Sequence, residues 1–234
     1  RVTDAVEEGT RAGYRVDVCV PSGNFGNIYA GFLARSMGVP IRRLILATNE
    51  NNVLEEFFTT GIYRPRSAED TLATSSPSMD ISKASNLERF IWVLLGPEVF
   101  MQRWAELETT GTLDLRDQLP RLREEFGFAA GTSSHADRLE TIRSVKKRSG
   151  CLIDPHTADG VTVALRVMEP GFPTLVMETA KAAKFPQTVA EALGSEPETP
   201  DVVADLLARP QKVETIDNEE APLRTLIEER ALSR

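Results

Sequence analysis

With 234 residues, 41% of them hydrophobic and 26% charged, the chain is long enough to enclose a core of one or two domains. A net charge of −8 argues against nucleic acid or an anionic membrane as its main partner. No apolar run reaches the length of a membrane span; the longest, Phe90 to Phe100, is interrupted by Gly96, Pro97 and Glu98 and reads as a buried helix or two short ones.

Residues 2–12 carry a helical pattern that ends near Gly13, with no targeting peptide, so the sequence reads as part of a longer chain. "YRVDVCV" (14–20) alternates and is rich in β-branched residues, which predicts a strand. Apolar residues at Ile28, Tyr29, Phe32, Leu33 and Met37 give residues 27–37 a helical period that Gly38 and Pro40 stop. "IRRLILAT" (41–48) reads as a second buried strand, parallel to the first across a right-handed crossover. A helix is expected over 52–61, then a Ser-, Thr- and Pro-rich segment over 62–85, too long for a compact chain unless it has a task. Residues 86–96 return to helix, and 98–148 read as several short amphipathic helices, one of which Ser133 or Ser134 caps. "GCLIDPH" (150–156) and "TLVMETA" (174–180) read as strands flanking a helix at 157–168, a second βαβ-type unit. From Ser195 the chain is acidic, with Pro197, Pro200 and Pro210, and reads as a surface appendage. Cys19 and Cys151 lie in separate apolar segments without metal-ligand spacing and read as reduced core thiols of a cytoplasmic protein; His135 and His156 are too isolated for a metal site.

Between the first strand and the first complete helix stands "PSGNFGN" (21–27). Open α/β sheets bind ligands beyond the carboxyl ends of their strands, and a helix N-terminus offers unpaired N–H groups and a positive dipole end. Gly23 and Gly26 are expected to admit close approach of an anion and positive φ; Asn24 and Asn27 are expected to tolerate the left-handed region, and Asn27 to cap the helix. No lysine or arginine lies in the turn, so an anion there would be held by neutral dipoles. Neither GxxxxGK[ST] nor GxGxxG is present, and an ordinary tight strand–helix turn is the alternative.

"PSGNFGN" followed by a helix and "ILATN", then "SPSMDISKASNLERFIW" (76–92), "IDPHTADGVTVAL" (153–165) and "METAKAAKF" (177–185), resembles in that order the threonine synthase family. The resemblance runs from residue 1 to residue 194 and implies an incomplete, parallel-sheet, three-layer α/β fold of the type II pyridoxal-phosphate enzymes, like the tryptophan synthase β subunit. Residues 195–234 form the appendage. It implies conversion of O-phospho-L-homoserine and water to L-threonine and phosphate with pyridoxal 5'-phosphate. By motif, the cofactor phosphate falls on Gly23, Asn24, Phe25, Gly26 and Asn27, with Ser22 adjacent, and the pyridine nitrogen on the Thr179 hydroxyl. The side chain of Phe25 is expected to pack beneath the turn. The family's "SFKD"-like lysine motif is absent, so the Schiff-base lysine is expected upstream of residue 1 and this chain alone to be inactive.

Ser78, Asp80, Asn49 and His156 are substrate-side candidates, each with a structural alternative: a turn for Ser78, an Asx cap for Asp80, a helix cap for Asn49 and a satisfied core histidine for His156. Arg64 and Arg66 are candidate partners of a substrate phosphate, whereas Arg42 and Arg43 stand at the wrong strand end. A homodimer is left open. Another type II phospho-lyase or dehydratase, or a non-catalytic phosphate-binding fragment, are the rival readings.

Overall fold

The computed structural model describes residues 13–231, so the helix expected over 2–12 lies outside the described residues. Two compact units, residues 1–197 and 198–234, divide the chain. In chain order the first holds β1 (Val16–Pro21), α1 (Gly26–Ser36), β2 (Ile41–Thr48), α2 (Val53–Thr60), β3 (Ile62–Tyr63), α3 (Leu87–Leu95), α4 (Pro97–Thr110), β4 (Leu113–Asp114), β5 (Phe128–Thr132), α5 (His135–Ser149), α6 (Pro155–Val167), β6 (Thr174–Val176) and α7 (Pro186–Leu193). The second holds α8 (Asp201–Ala208) and α9 (Glu220–Ala231).

Four parallel strands form the main sheet in the order β5–β2–β1–β6. Its side chains alternate with period two. Val20, Leu44, Leu46 and Phe128 point into an aromatic core shared with Ile28, Phe32, Phe57, Phe58 and Phe90. Cys19, Ile45 and Ala47 point the other way, onto Val163 and Ala164 of α6. Both faces are covered, so β1 and β2 are apolar runs rather than half-polar strands. The run from Phe90 to Phe100 spans two helices that meet at Gly96, the second of the two alternatives its interruption left open.

Two expectations are corrected. Residues 128–132, expected within a helical region, form β5; "FAAGT" has one aromatic and one β-branched residue, too weak a strand signal to compete with the helical segments around it. Residues 150–156 form no strand. Asp154 accepts hydrogen bonds from the N–H groups of His156 and Thr157, Pro155 takes the first helical position, and α6 starts there. Cys19 is buried, and burial pushes its thiol up to about 12, whereas Cys151 is exposed and no core residue.

Of the two proposed caps for α5, Ser134 is the cap. Its hydroxyl accepts from Asp137 N–H while the Asp137 carboxylate accepts from Ser134 N–H, a reciprocal box. Ser134→Ala is expected to lower the unfolding free energy by about 1 kcal/mol, read as a shift in urea midpoint at unchanged slope.

Candidate functional site

The glycine turn leaves the carboxyl end of β1 and enters α1. Ser22 N–H still donates to Ala47 O, closing the sheet, and Tyr29 N–H donates to Phe25 O, closing the first helical turn. Between them, among the described residues, no protein acceptor meets the backbone N–H of Gly23, Asn24, Phe25, Gly26 or Asn27. The Ser22 hydroxyl is buried without a hydrogen-bond partner, a state that a native interior tolerates rarely. Five free N–H groups and an orphaned hydroxyl thus cluster at one strand–helix junction, with no carboxylate in the turn.

The source of this geometry differs from the expectation. Neither Gly23 nor Gly26 has positive φ; Phe25 does, at 65°, alone among the described non-glycine residues. Left-handed backbone in a bulky residue costs roughly 1–2 kcal/mol. It is offset because the conformation drives the ring inward: Phe25 is fully buried, its ring stacked 5.5 Å from Phe58 and within 6.0 Å of Phe90 and Phe128. The aromatic side chain packs beneath the turn, as expected, and its backbone faces out. Asn27 does not cap α1; it is the second helical residue, and the cap position is Phe25, without a side-chain bond.

The glycines are required for space. A Cβ on Gly23 would lie 2.8 Å from Ser78 O and 3.0 Å from Met79 Cα. A Cβ on Gly26 would lie 3.2 Å from Asn86 Nδ2. Asn86 donates to Asn24 O through both its N–H and its side-chain amide, pinning the turn from the start of α3.

The loop that presses on Gly23 is tightly held. Asp80 accepts at 2.7–2.9 Å from Asn49 Nδ2, Asn51 Nδ2, Thr74 N–H and Thr74 Oγ1. The buried Asn49 also donates to Ser76 and accepts from Asn51 N–H. Asn49 therefore does not cap α2, whose cap position is Asn52; it and Asp80 tie the loop to the end of β2. His156 is 2% exposed on the first turn of α6, between Asp154 Oδ1 at 2.8 Å and Ser78 N–H at 3.0 Å, so it is a satisfied core histidine rather than a pocket wall. Burial raises the Asp154 carboxyl, but bonds from His156 and Thr157 outweigh it and hold the group below its ordinary range. Ser78 is exposed, and its hydroxyl has no partner among the described residues.

Behind the loop lies a charge network that the sequence reading missed. Arg138, fully buried on α5, donates through Nε to both oxygens of the fully buried Asp159 at 2.9 and 3.1 Å. It also donates to Glu50 Oε2 and to Ser75 Oγ. Burial pushes the Asp159 carboxyl up against the pull of Arg138, Ser76 and Ser133. The pattern "SHADR…DPHTAD" carried these charges on two helices at positions that face each other, but neither spacing alone marks a pair.

Thr179 follows β6, which runs parallel to β1 with Cys19 opposite Val176 and Met177 N–H donating to Cys19 O. Thr179 is exposed and lies three residues beyond the carboxyl end of β6, whose parallel neighbour β1 feeds the glycine turn from its own carboxyl end. Ser78 stands against that turn at Gly23. The arginines lie elsewhere: Arg42 and Arg43 clamp buried Asp17 and reach Glu169 at the amino ends of the strands, Arg64 pairs with Glu56, and Arg66 donates to Asn52. Lys83 lies over the Trp104 ring, Lys146 donates to Gly150 O and Lys181 to Glu178.

A family model described as "Threonine synthase, C-terminal" matches residues 157–227. The threonine synthase of Methylobacillus glycogenes is 48% identical over 218 residues, which cover 92% of this chain and 46% of that protein. The threonine synthase of Corynebacterium glutamicum is 49% identical over 225 residues, 93% and 46% of the two chains. Among solved structures, a threonine synthase from Brucella melitensis, described as PLP bound, superimposes with a TM-score of 0.83 at 35% identity over 97% of this chain and 48% of that one. A yeast threonine synthase gives 0.80 at 30% identity over 94% and 48%. The chain spans about half the length of the curated relatives it matches. By sequence and by fold, the chain is similar to the C-terminal portion of threonine synthases.

Proposed function

We propose that this chain supplies the cofactor-phosphate cradle and the pyridine contact of a threonine synthase, which converts O-phospho-L-homoserine and water to L-threonine and phosphate. The observation that carries the reading is the row of unpartnered N–H groups from Gly23 to Asn27 beside the orphaned Ser22 hydroxyl. These are donors only, set at the positive end of an 11-residue helix, which fits the monoester phosphate of pyridoxal 5'-phosphate. When bound, that group supplies the delocalisation of negative charge that forms on substrate carbon.

The chain's own residues have defined parts in this. The backbone N–H groups neutralise the phosphate through dipoles, so the anchor needs no side-chain cation to be ordered first. Ser22 Oγ donates into the same anion. Thr179 offers the ring nitrogen a neutral hydroxyl; unlike a carboxylate it does not hold a proton on that nitrogen, and so keeps the ring a weaker electron sink. Ser78 presents a free hydroxyl toward a substrate phosphate, whereas Asp80, Asn49 and His156 shape the loop that carries it. We assign residues 1–194 to the enzyme fold and 195–234 to the appendage, in a cytoplasmic biosynthetic enzyme of which this chain alone is a partial, inactive unit.

The test is titration of the chain with pyridoxal 5'-phosphate, followed by the 31P signal of the ligand. Ser22→Ala is expected to weaken binding about tenfold, as loss of one hydrogen bond to a charged group does, while leaving thermal stability unchanged or raised. A phosphate signal that is the same in the variant removes Ser22 from the cradle; a ligand that never broadens or shifts overturns the phosphate reading.

A further inference from the structure

We propose that the Asp154–His156 pair is a positioning device for the cradle: it fixes the turn Pro77–Met79 against Gly23 and so sets the aim of the phosphate donors. The proposal rests on the phosphate reading above. Its ground is the way a single residue, Ser78, is gripped on two sides. Its N–H donates to His156 Nε2 at 3.0 Å, and its carbonyl oxygen lies 2.8 Å from where a Cβ on Gly23 would stand. The turn is closed by Met79 N–H to Ser76 O and Asp80 N–H to Pro77 O, so Ser78 cannot shift alone.

The neighbours of His156 fix its protonation pattern. Asp154 Oδ1 only accepts and stands 2.8 Å from Nδ1; Ser78 N–H only donates and stands at Nε2. The ring is therefore the neutral form with its proton on Nδ1 and its lone pair on Nε2. Phe185 closes the ring's side at a centroid distance of 4.8 Å. A proton added to Nε2 would set two donors face to face and break the grip. The charged groups about the ring are otherwise committed. Asp154 is the carboxylate in contact with it, Asp80 on the loop is bound by Asn49, Asn51 and Thr74, and Asp159 on the same helix is held by Arg138. Lys184 precedes Phe185 in the chain and is exposed. The loop has a second anchor, Asp80 on Asn49, but only the His156 contact bears directly on Ser78.

Pyridoxal 5'-phosphate affinity of the chain and the 15N–1H signal of the Ser78 amide together decide the matter. His156→Gln keeps an acceptor and is expected to bind within about threefold of the native chain. His156→Leu keeps bulk but no acceptor, and is expected to bind about tenfold more weakly and to shift the Ser78 amide signal, which His156→Gln should leave near its native position. A merely space-filling histidine would make Leu the better substitute and leave the Ser78 signal alone. If Gly23→Ala weakens binding while His156→Leu binds as the native chain does, the positioning role is wrong and the cradle stands. If binding is indifferent to Gly23→Ala, the cradle reading is wrong, and the Ser78 signal alone decides: it moves in His156→Leu if the grip exists and stays fixed if it does not.

Discussion

Arg138→Met is expected to lower the unfolding free energy by about 3–5 kcal/mol at neutral pH, the penalty for leaving a buried charge without its partner. Arg138 is fully buried, and its guanidinium serves Asp159, Glu50 and Ser75 at once. Methionine fills much of the volume but serves none of them. Glu50 and Ser75 are less buried and recover water; Asp159, with no exposed surface, does not. The deficit therefore has a sign in pH. Burial already raises the Asp159 carboxyl above its ordinary value, and loss of the guanidinium raises it further. A carboxyl whose folded value exceeds its unfolded value destabilises the fold as pH rises from the unfolded value through the folded one, so the loss is fullest at neutral pH and shrinks on acidification. Urea midpoints at about pH 7 and about pH 5 check this. The double variant Arg138→Met/Asp159→Leu, which removes both charges, should recover most of the loss. A loss equal at both pH values, or a double variant worse than the single, would mean that packing and not charge dominates the site. The network joins α5 to α6 directly behind Ser75, so the single variant should also loosen the loop that bears on Gly23.

How much of this was legible in the sequence depends on the range over which each feature is encoded. β2 and the helix before Gly96 follow from local periodicity and from punctuation by glycine and proline, and their expected bounds lie within a residue or two of those found. The strand β5 was hidden because an edge strand of small residues draws its stability from pairing with β2, not from its own side chains. "GCLIDPH" misled in the opposite direction: its apolar start read as a strand, while the Asp-Pro that follows is a helix-start signal, and the cap won. At the site, the turn was found because glycines, asparagines and a strand end lie together in seven residues. Its conformation was not. The positive φ went to Phe25, since a ring that completes a five-member aromatic cluster compensates for strain that glycine would avoid. Asn49, Asp80 and His156 were recognised as residues with work at the sheet's carboxyl end, but which atoms they serve is a matter of partners 20 to 80 positions away. No local pattern carries that information, and the Arg138–Asp159 pair escaped for the same reason.

Gly23→Ala is expected to reduce affinity for pyridoxal 5'-phosphate by about 100-fold, or about 2.8 kcal/mol. The reason is neither flexibility nor φ, because Gly23 is not in the left-handed region. A methyl group there meets Ser78 O at 2.8 Å and Met79 Cα at 3.0 Å, both backbone atoms, so no side-chain rotation relieves the contact. The loop cannot retreat cheaply, since Asp80 is held by four hydrogen bonds and Ser78 by His156. The turn itself must move, and with it the N–H groups of residues 23–27, whose value to a phosphate depends on aiming several donors at one point. Asn24→Ala and Asn27→Ala supply the contrast. Both side chains are exposed and without hydrogen-bond partners among the described residues, and neither meets the backbone of the loop, so each substitution should change affinity by no more than about threefold. Side-chain amides as the main ligands would reverse that order, with the asparagine variants losing binding and the alanine at 23 tolerated. The ranking of these three substitutions in one phosphate titration therefore separates a cradle of backbone dipoles from a site built of side chains, whatever the absolute affinity of the isolated chain.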